Sequence, residues 1–221
     1  MHLSSAAQQT TPSPDWGDAI VLRFLVDPAN AITTVGLAFA TTGIFAVLSG
    51  HIEIGIAAVI WSLLADHLDG IVASRTRNRH PDKGKIGKQL DSFTDLVSDA
   101  VFPAILVIQL NGNSPVALLI AIILLTAGAL RLSYFNSFGL SNGRFVGVPL
   151  SYDIPLLALL FVARPLLPTS SFSLVVNAVL LVLAILHVTT IRVPRASGSV
   201  LIGIVIFSIC ASVLLAARAL A

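Results

Sequence analysis

The 221-residue chain is 56% hydrophobic and 11% charged, with a mean hydropathy of +0.92 and a formal net charge of +2. A soluble domain carries about 25% charged residues, so this composition excludes one of ordinary make-up and places the chain in a lipid bilayer. A single cysteine, Cys210, excludes an intrachain disulfide and a multi-cysteine metal site.

Residues 1–14 are polar and rich in Pro and Ser, lack the charged-then-apolar layout of a cleavable signal, and are expected to be disordered. Residues 15–27 mix Trp16, Ile20, Val21, Phe24 and Leu25 with Asp18 and Arg23. That pattern suits a short amphipathic helix along the interface, or a simple leader into the first span.

A helix rises 1.5 Å per residue and the hydrocarbon core is about 30 Å thick, so about 20 apolar residues mark a span. Such runs fall near 30–49, 54–75, 88–110, 115–137, 148–164, 172–191 and 197–217. The fifth is the weakest, being short and interrupted by Pro149, Asp153 and Pro155, so it reads as a broken helix or the lining of a polar cavity. Cys210 falls in the last run, where packing is its expected role. The expected fold is all-α, a polytopic transmembrane helix bundle of six to eight spans, seven by hydropathy, with an N-terminal interfacial helix. No internal repeat or soluble segment divides it, so residues 15–221 form one expected membrane-embedded domain.

Arg75, Arg77, Arg79, Lys83, Lys85 and Lys88 crowd the segment between the second and third spans, which marks it as cytoplasmic. Alternate counting then puts Arg144, Arg192 and Arg195 inside, Arg164 and Arg218 on the far side, and the N-terminus inside. His51 and Glu53 fall in the expected far-side loop. The chain reads as a multi-pass protein of the cell membrane.

Four aspartates interrupt this apolar layout. A carboxylate at bilayer depth costs about 2.5–3.5 kcal/mol on insertion scales, so each needs a cation, a proton or water. Asp66, Asp69, Gly70 and Ala73 fall at i, i+3, i+4 and i+7, one face of the second span. On the third span Gly87, Asp91 and Asp95 repeat every four residues, at the same depth near the cytoplasmic edge. Two such stripes make a multidentate oxygen site of the kind hard divalent cations take. The alternatives are aspartates paired with the basic loop, or the lining of a divalent-cation transporter. His67 is turned about 100° off the aspartate face and is expected to meet a neighbouring helix or headgroup.

The stretch Asp66-x2-Asp69-Gly70-x2-Ala73 followed by Gly87-x3-Asp91-x3-Asp95 resembles the signature of the CDP-alcohol phosphotransferases, D-x2-D-G-x2-A-R-x8-G-x3-D-x3-D. Seven of its eight fixed positions match. Ser74 stands where the family has arginine, and thirteen residues separate Ala73 from Gly87 where the family has nine. Arg75 is the nearest stand-in for that arginine, with Arg77 second.

The resemblance implies that Asp66, Asp69 and Asp91 ligate two divalent cations, Mg²⁺ or Mn²⁺, with Asp95 completing the site and acting as general base. It also implies that Asp66, Asp69, Gly70, Ala73, Arg75 and Gly87 bind the cytidine nucleotide. A metal pair on the CDP diphosphate would neutralise its charge and stabilise departing CMP. A carboxylate beside an alcohol hydroxyl would take its proton.

Residues 87–104, GKQLDSFTDLVSDAVFPA, resemble the phosphatidylserine synthase branch through Ser92 and Ser98. So do the LR-x-x-x-FN segment 130–136 and the F-x-G-x-P segment 145–149. The implied reaction transfers a phosphatidyl group from CDP-diacylglycerol to a small alcohol, with L-serine favoured over inositol phosphate, glycerol 3-phosphate or choline. An ether-lipid donor fits equally.

Ser92, Arg131, Asn136 and Arg144 are the candidates for binding the acceptor or a phosphate; against this, Arg131 could snorkel to the interface and Arg144 could be a solvated loop charge. Asp99 stands where the branch has phenylalanine. Asp99 and Asp153 could contact the amino group of a zwitterionic acceptor; otherwise Asp99 pairs with a loop cation and Asp153 faces water or Arg131. His187, Thr189 and Thr190 receive no role. Relatives of this kind are commonly homodimers embedded among membrane lipids, and nothing points to nucleic acid.

Overall fold

The computed structural model describes residues 21–195 and 198–220. The expected disordered tail, and Trp16, Asp18 and Ile20 of the amphipathic segment, lie outside the described residues. The later part of that segment, Val21–Val26, is a 3-10 helix with no buried residue.

Helix α1 (Pro28–Leu48) opens where a helix is easiest to start. Asp27 is extended and accepts a hydrogen bond from Asn30 N at 3.2 Å, and Pro28 stands at the first position. A turn through Gly50 at φ +87° returns the chain into α2 (Ile52–Arg75). Helix α3 (Pro81–Asp95) runs through a π-helical turn, Leu96–Val101, into α4 (Phe102–Leu110), so that Pro81–Leu110 is one continuous 30-residue rod. Ser114 caps α5 (Pro115–Phe138), which stops at Gly139 with φ +66°. Two short strands, β1 (Arg144–Val146) and β2 (Arg192–Pro194), pair antiparallel with Phe145 opposite Val193. Between them lie a 3-10 turn, Leu150–Tyr152, then α6 (Asp153–Val162) and α7 (Phe172–His187). Helix α8 (Gly198–Leu220) completes the described chain.

The fold is the expected all-α polytopic bundle. Among the described residues six helical segments are long and apolar enough to cross a membrane, and the weak fifth run is the shorter apolar helix Leu150–Val162. Its ends nevertheless lie level with those of its neighbours. Arg164, just beyond α6, pairs with Glu53 at the start of α2 at 3.7 Å, and Arg218 donates to the Val162 carbonyl at 2.9 Å. Asp153, which opens α6, meets His187 at the end of α7. The third span begins seven residues earlier than its hydropathy, at Pro81, because proline at the first position and the His80 ring accepting from Asp82 N start a helix in polar sequence.

Helix α2 is central, packed against α1, α6 and α8. Where α1 crosses it, Gly43 faces Gly55, and a Cβ on either would run into the other's carbonyl. Small residues let the backbones close up, which matters in lipid, where packing rather than water exclusion holds helices together. Ile56, Ile60, Phe102, Leu106, Ile154, Phe161, Leu180 and Leu215 fill the interior. Phe45, Leu118, Ile122, Ile185 and Val213 face outward, as a lipid-solvated surface requires. Cys210 joins that outer face instead of the packed interior expected for it.

Candidate active site

Carboxylate oxygens of Asp66 on α2 and of Asp91 and Asp95 on α3 all lie within 4.8 Å of one another. Oxygens bound to one divalent cation at about 2.0–2.6 Å stand within that range of each other, and an all-carboxylate donor set is what a hard cation takes. Among the described residues no Lys or Arg pairs with these three or with Asp69; the loop cations are engaged elsewhere or exposed. Lys85 pairs with Asp82, Lys88 reaches the Asn136 carbonyl, and Arg75 and Arg77 are exposed. His67 lies off the face, its Nδ1 2.8 Å from the Leu63 carbonyl and 3.5 Å from Asp66.

Two pockets open on either side of Asp91. The first, about 210 Å³, is lined by Asn30 and Thr33 of α1, Asp69, Gly70 and Ala73 of α2, Arg79 of the connecting loop, and Gly84, Gly87, Lys88 and Asp91 of α3. Asp69 belongs to this pocket rather than to the three-carboxylate cluster, and the Thr33 hydroxyl donates to it. Gly87 leaves room here, because a Cβ at that position would overlap the Asn30 amide oxygen and come within 2.9 Å of the Arg79 guanidinium, so that both side chains would have to shift. Arg75 does not line the pocket. Arg79, four residues further on, does.

The second pocket, about 200 Å³, is lined by Asp66, Asp91 and Asp95 together with Arg131, Phe135, Phe145, Pro149, Leu150 and Ser151. Arg131 does not snorkel. It is 5% exposed, its guanidinium lies 5.7 and 5.8 Å from the Phe135 and Phe145 ring centroids, and its Nε donates to the Val148 carbonyl at 3.3 Å.

The other acceptor candidates stand apart from both pockets. Ser92 and Asn136 join α3 to α5, with Asn136 Nδ2 donating to Ser92 Oγ at 2.9 Å. Arg144 is exposed on β1. Asp153 faces neither water nor Arg131 but His187, at 3.1 Å, and Asp99 accepts from the Ser98 hydroxyl at 2.9 Å instead of pairing with a loop cation.

Sequence reasoning missed Arg79, Asn30 and Thr33. A signal for the last two was present, since Asp27, Asn30 and Thr33 recur every three residues at the start of an apolar run. None marked Arg79 out from Arg75 and Arg77.

Comparison with known proteins covers nearly the whole arrangement. Residues 27–210 match the family model described as CDP-alcohol phosphatidyltransferase. The chain is 33% identical over 193 residues to a protein of Methanocaldococcus jannaschii named CDP-diacylglycerol–serine O-phosphatidyltransferase, covering 87% of this chain and 86% of that one. It is 29% identical over 164 residues to archaetidylserine synthase of Methanothermobacter thermautotrophicus, covering 72% and 67% of the two chains. Over 127 residues, 56% of this chain and 70% of the other, it is 31% identical to a Bacillus subtilis protein named CDP-diacylglycerol–serine O-phosphatidyltransferase. No solved structure matches the chain. The matched stretch begins at Asp27 and takes in both pockets and the carboxylates between them, and this chain belongs to the CDP-alcohol phosphatidyltransferase family.

Proposed function

We propose that the protein transfers a phosphatidyl group from CDP-diacylglycerol, or its ether-lipid counterpart, to the hydroxyl of L-serine and releases CMP. The observation that carries this reading is Asp91 standing in the wall of both pockets. A reaction between two ligands needs two cavities that meet at the reacting atoms. The first pocket, with Gly70, Ala73 and Gly87, suits the cytidine nucleotide; the second, with Arg131, suits the carboxylate of serine. Names of relatives from three organisms favour serine over other alcohols.

Asp66, Asp91 and Asp95 would hold a divalent cation, Mg²⁺ or Mn²⁺, with Asp69 extending the donor set for a second. Bound there, such ions supply charge neutralisation for the diphosphate and its leaving group. Asp95 takes the proton from the serine hydroxyl as its oxygen attacks the lipid-linked phosphorus. The new O–P bond forms while the P–O bond to CMP breaks. Arg131 orients the acceptor through its carboxylate, and Arg79 completes the wall of the nucleotide pocket. The basic segment after α2 supports a cytoplasmic position for this end of the bundle, where the water-soluble substrate and CMP would be exchanged.

The deciding experiment is CMP release by purified protein from CDP-diacylglycerol and an ether-lipid analogue, with Mg²⁺ or Mn²⁺, across a panel of alcohols. Release with serine well above the no-acceptor background is expected. Equal release with and without serine would overturn the acceptor assignment.

A further inference from the structure

A buried pair that the reaction does not use lies behind the second pocket. His187, at the end of α7, and Asp153, at the start of α6, are each 4% exposed, and neither lines a pocket that holds the carboxylate cluster. Both ring nitrogens of His187 face oxygen. Nδ1 lies 2.9 Å from the Val148 carbonyl, and Nε2 lies 3.1 Å from the Asp153 carboxylate. A carbonyl only accepts, so Nδ1 must carry a hydrogen. The proton between Nε2 and Asp153 can sit on either partner without changing that. His187 is therefore a fixed donor to Val148 in either state of the pair.

The Val148 carbonyl is a junction. It accepts from His187 Nδ1 with one lone pair and from Arg131 Nε, at 3.3 Å, with the other. The peptide around it is clamped to the end of α7 and the segment that follows, with Val148 N donating to the Leu186 carbonyl at 3.1 Å and Gly147 N to the Ile191 carbonyl at 2.7 Å. Gly147 adopts φ +76°, and a Cβ there would overlap the His187 carbonyl, so the chain passes against α7 as closely as backbone allows. Arg131 has one directed hydrogen bond and two ring faces to fix it; its terminal nitrogens have no hydrogen-bond partner among the described residues.

We propose that His187 is a positioning residue: held by Asp153, it fixes the Val148 carbonyl and through it aims the Arg131 guanidinium, making the second pocket selective for an acceptor that carries a carboxylate. This rests on the proposed reaction. A long flexible cation recognises an anion tightly only when its rotamer is set beforehand, and a guanidinium loses its specific geometry when its orienting acceptor moves.

The test is initial-rate kinetics of CMP release by the full-length protein in membranes or detergent, varying serine and CDP-diacylglycerol separately. In His187→Ala the KM for serine should rise about tenfold or more, as expected for loosening a charged hydrogen bond, while the KM for CDP-diacylglycerol stays within about twofold. His187→Asn, whose amide can donate near the place of Nδ1, should recover most of the loss. A parallel rise in both KM values, or an unchanged KM for serine in His187→Ala, would overturn the proposal. If His187→Ala does not accumulate as folded protein, Asp153→Asn carries the test, with a smaller rise expected in the serine KM alone and an unchanged serine KM overturning it. A wild-type protein that releases no CMP with serine overturns the proposed reaction and this inference together. Serine use by the wild type with no serine-specific defect in the variants overturns the inference alone.

Discussion

Arg79 and Asp27 meet across 52 residues in a two-point contact, Nη2 to Oδ1 at 2.8 Å and Nε to Oδ2 at 3.1 Å. The same Nη2 donates to Asn30 Oδ1 at 2.8 Å, and Asn30 Nδ2 donates to the Lys83 carbonyl at 3.2 Å. The start of α1, the loop after α2 and the first turn of α3 are thus drawn together as one wall of the first pocket.

Arg79→Ala should therefore weaken the donor side. The pair is partly buried, with Arg79 19% exposed, and removing the guanidinium leaves the Asp27 carboxylate and the Asn30 amide oxygen without their shared donor. We expect the KM for CDP-diacylglycerol to rise at least tenfold and thermal stability in detergent to fall. Arg75→Ala, an exposed position, should stay within about twofold of wild type. A defect in Arg75→Ala as large as in Arg79→Ala would return the family arginine's role to Arg75.

Asp27 gives a pH signature to the same contact. Burial pushes its carboxyl up, but hydrogen bonds from Arg79 and the Asn30 N–H, with the charges of Arg79 and Lys83, outweigh that and hold it below the usual carboxylate value. A carboxyl lower in the folded than in the unfolded state contributes stability above its unfolded value, about 4, and loses it as pH falls through the folded one. Thermal unfolding should show this contribution undiminished from pH 7 to about 5, with a decline below about 4 that is shallower in Arg79→Ala.

The carboxylates should separate by the pocket each one lines. Asp95→Asn is expected to lower turnover by roughly 10²- to 10⁴-fold while CMP binding, measured calorimetrically, persists. Asp91→Asn, which alters both pockets and the cluster, should lose Mn²⁺ binding by electron paramagnetic resonance and CMP binding together. Chelation of divalent ions should abolish turnover, and added Mg²⁺ or Mn²⁺ should restore it. Near-wild-type turnover in Asp95→Asn would remove it as the base.

Two glycines on α3 line the first pocket but differ in what surrounds them. Gly87→Ala would place a methyl against Asn30 and Arg79, whereas Gly84→Ala meets nothing within 4 Å. The first substitution should raise the donor KM at least tenfold and the second leave it within about twofold; equal effects would mean that helix propensity, not space, sets the outcome.

The carboxylate stripes were legible because lipid makes an aspartate costly and a helix fixes which residues share a face, so spacing joined Asp66 and Asp69 with Asp91 and Asp95 in one site; that Asp69 turns to the first pocket instead depends on Thr33 of α1. Arg79 was not legible, because its place depends on Asp27 and Asn30, far away in sequence. His187 and Asp153 were opaque for the same reason: each looks like an isolated polar residue until α6 and α7 stand side by side. Hydropathy marked 148–164 as the short, broken run that the structure shows as Leu150–Val162, but began the third span at residue 88, since it measures the cost of exposure to water. It does not register the proline and caps that decide where a helix starts.

The π-helical turn at Leu96–Val101 acts on the third span as a change of phase. Before it, the rod turns Asp91 and Asp95 toward α2; after it, Phe102 and Leu106 point into the apolar interior. The inserted residue lets those two demands be met by one continuous rod, since without it every side chain beyond would be rotated by about 100°. Deleting one residue from that turn would leave the carboxylates in place and rotate the far half of the helix, swinging Phe102 and Leu106 out toward other neighbours. Chemistry at one end and packing at the other are in this way tuned independently along a single rod.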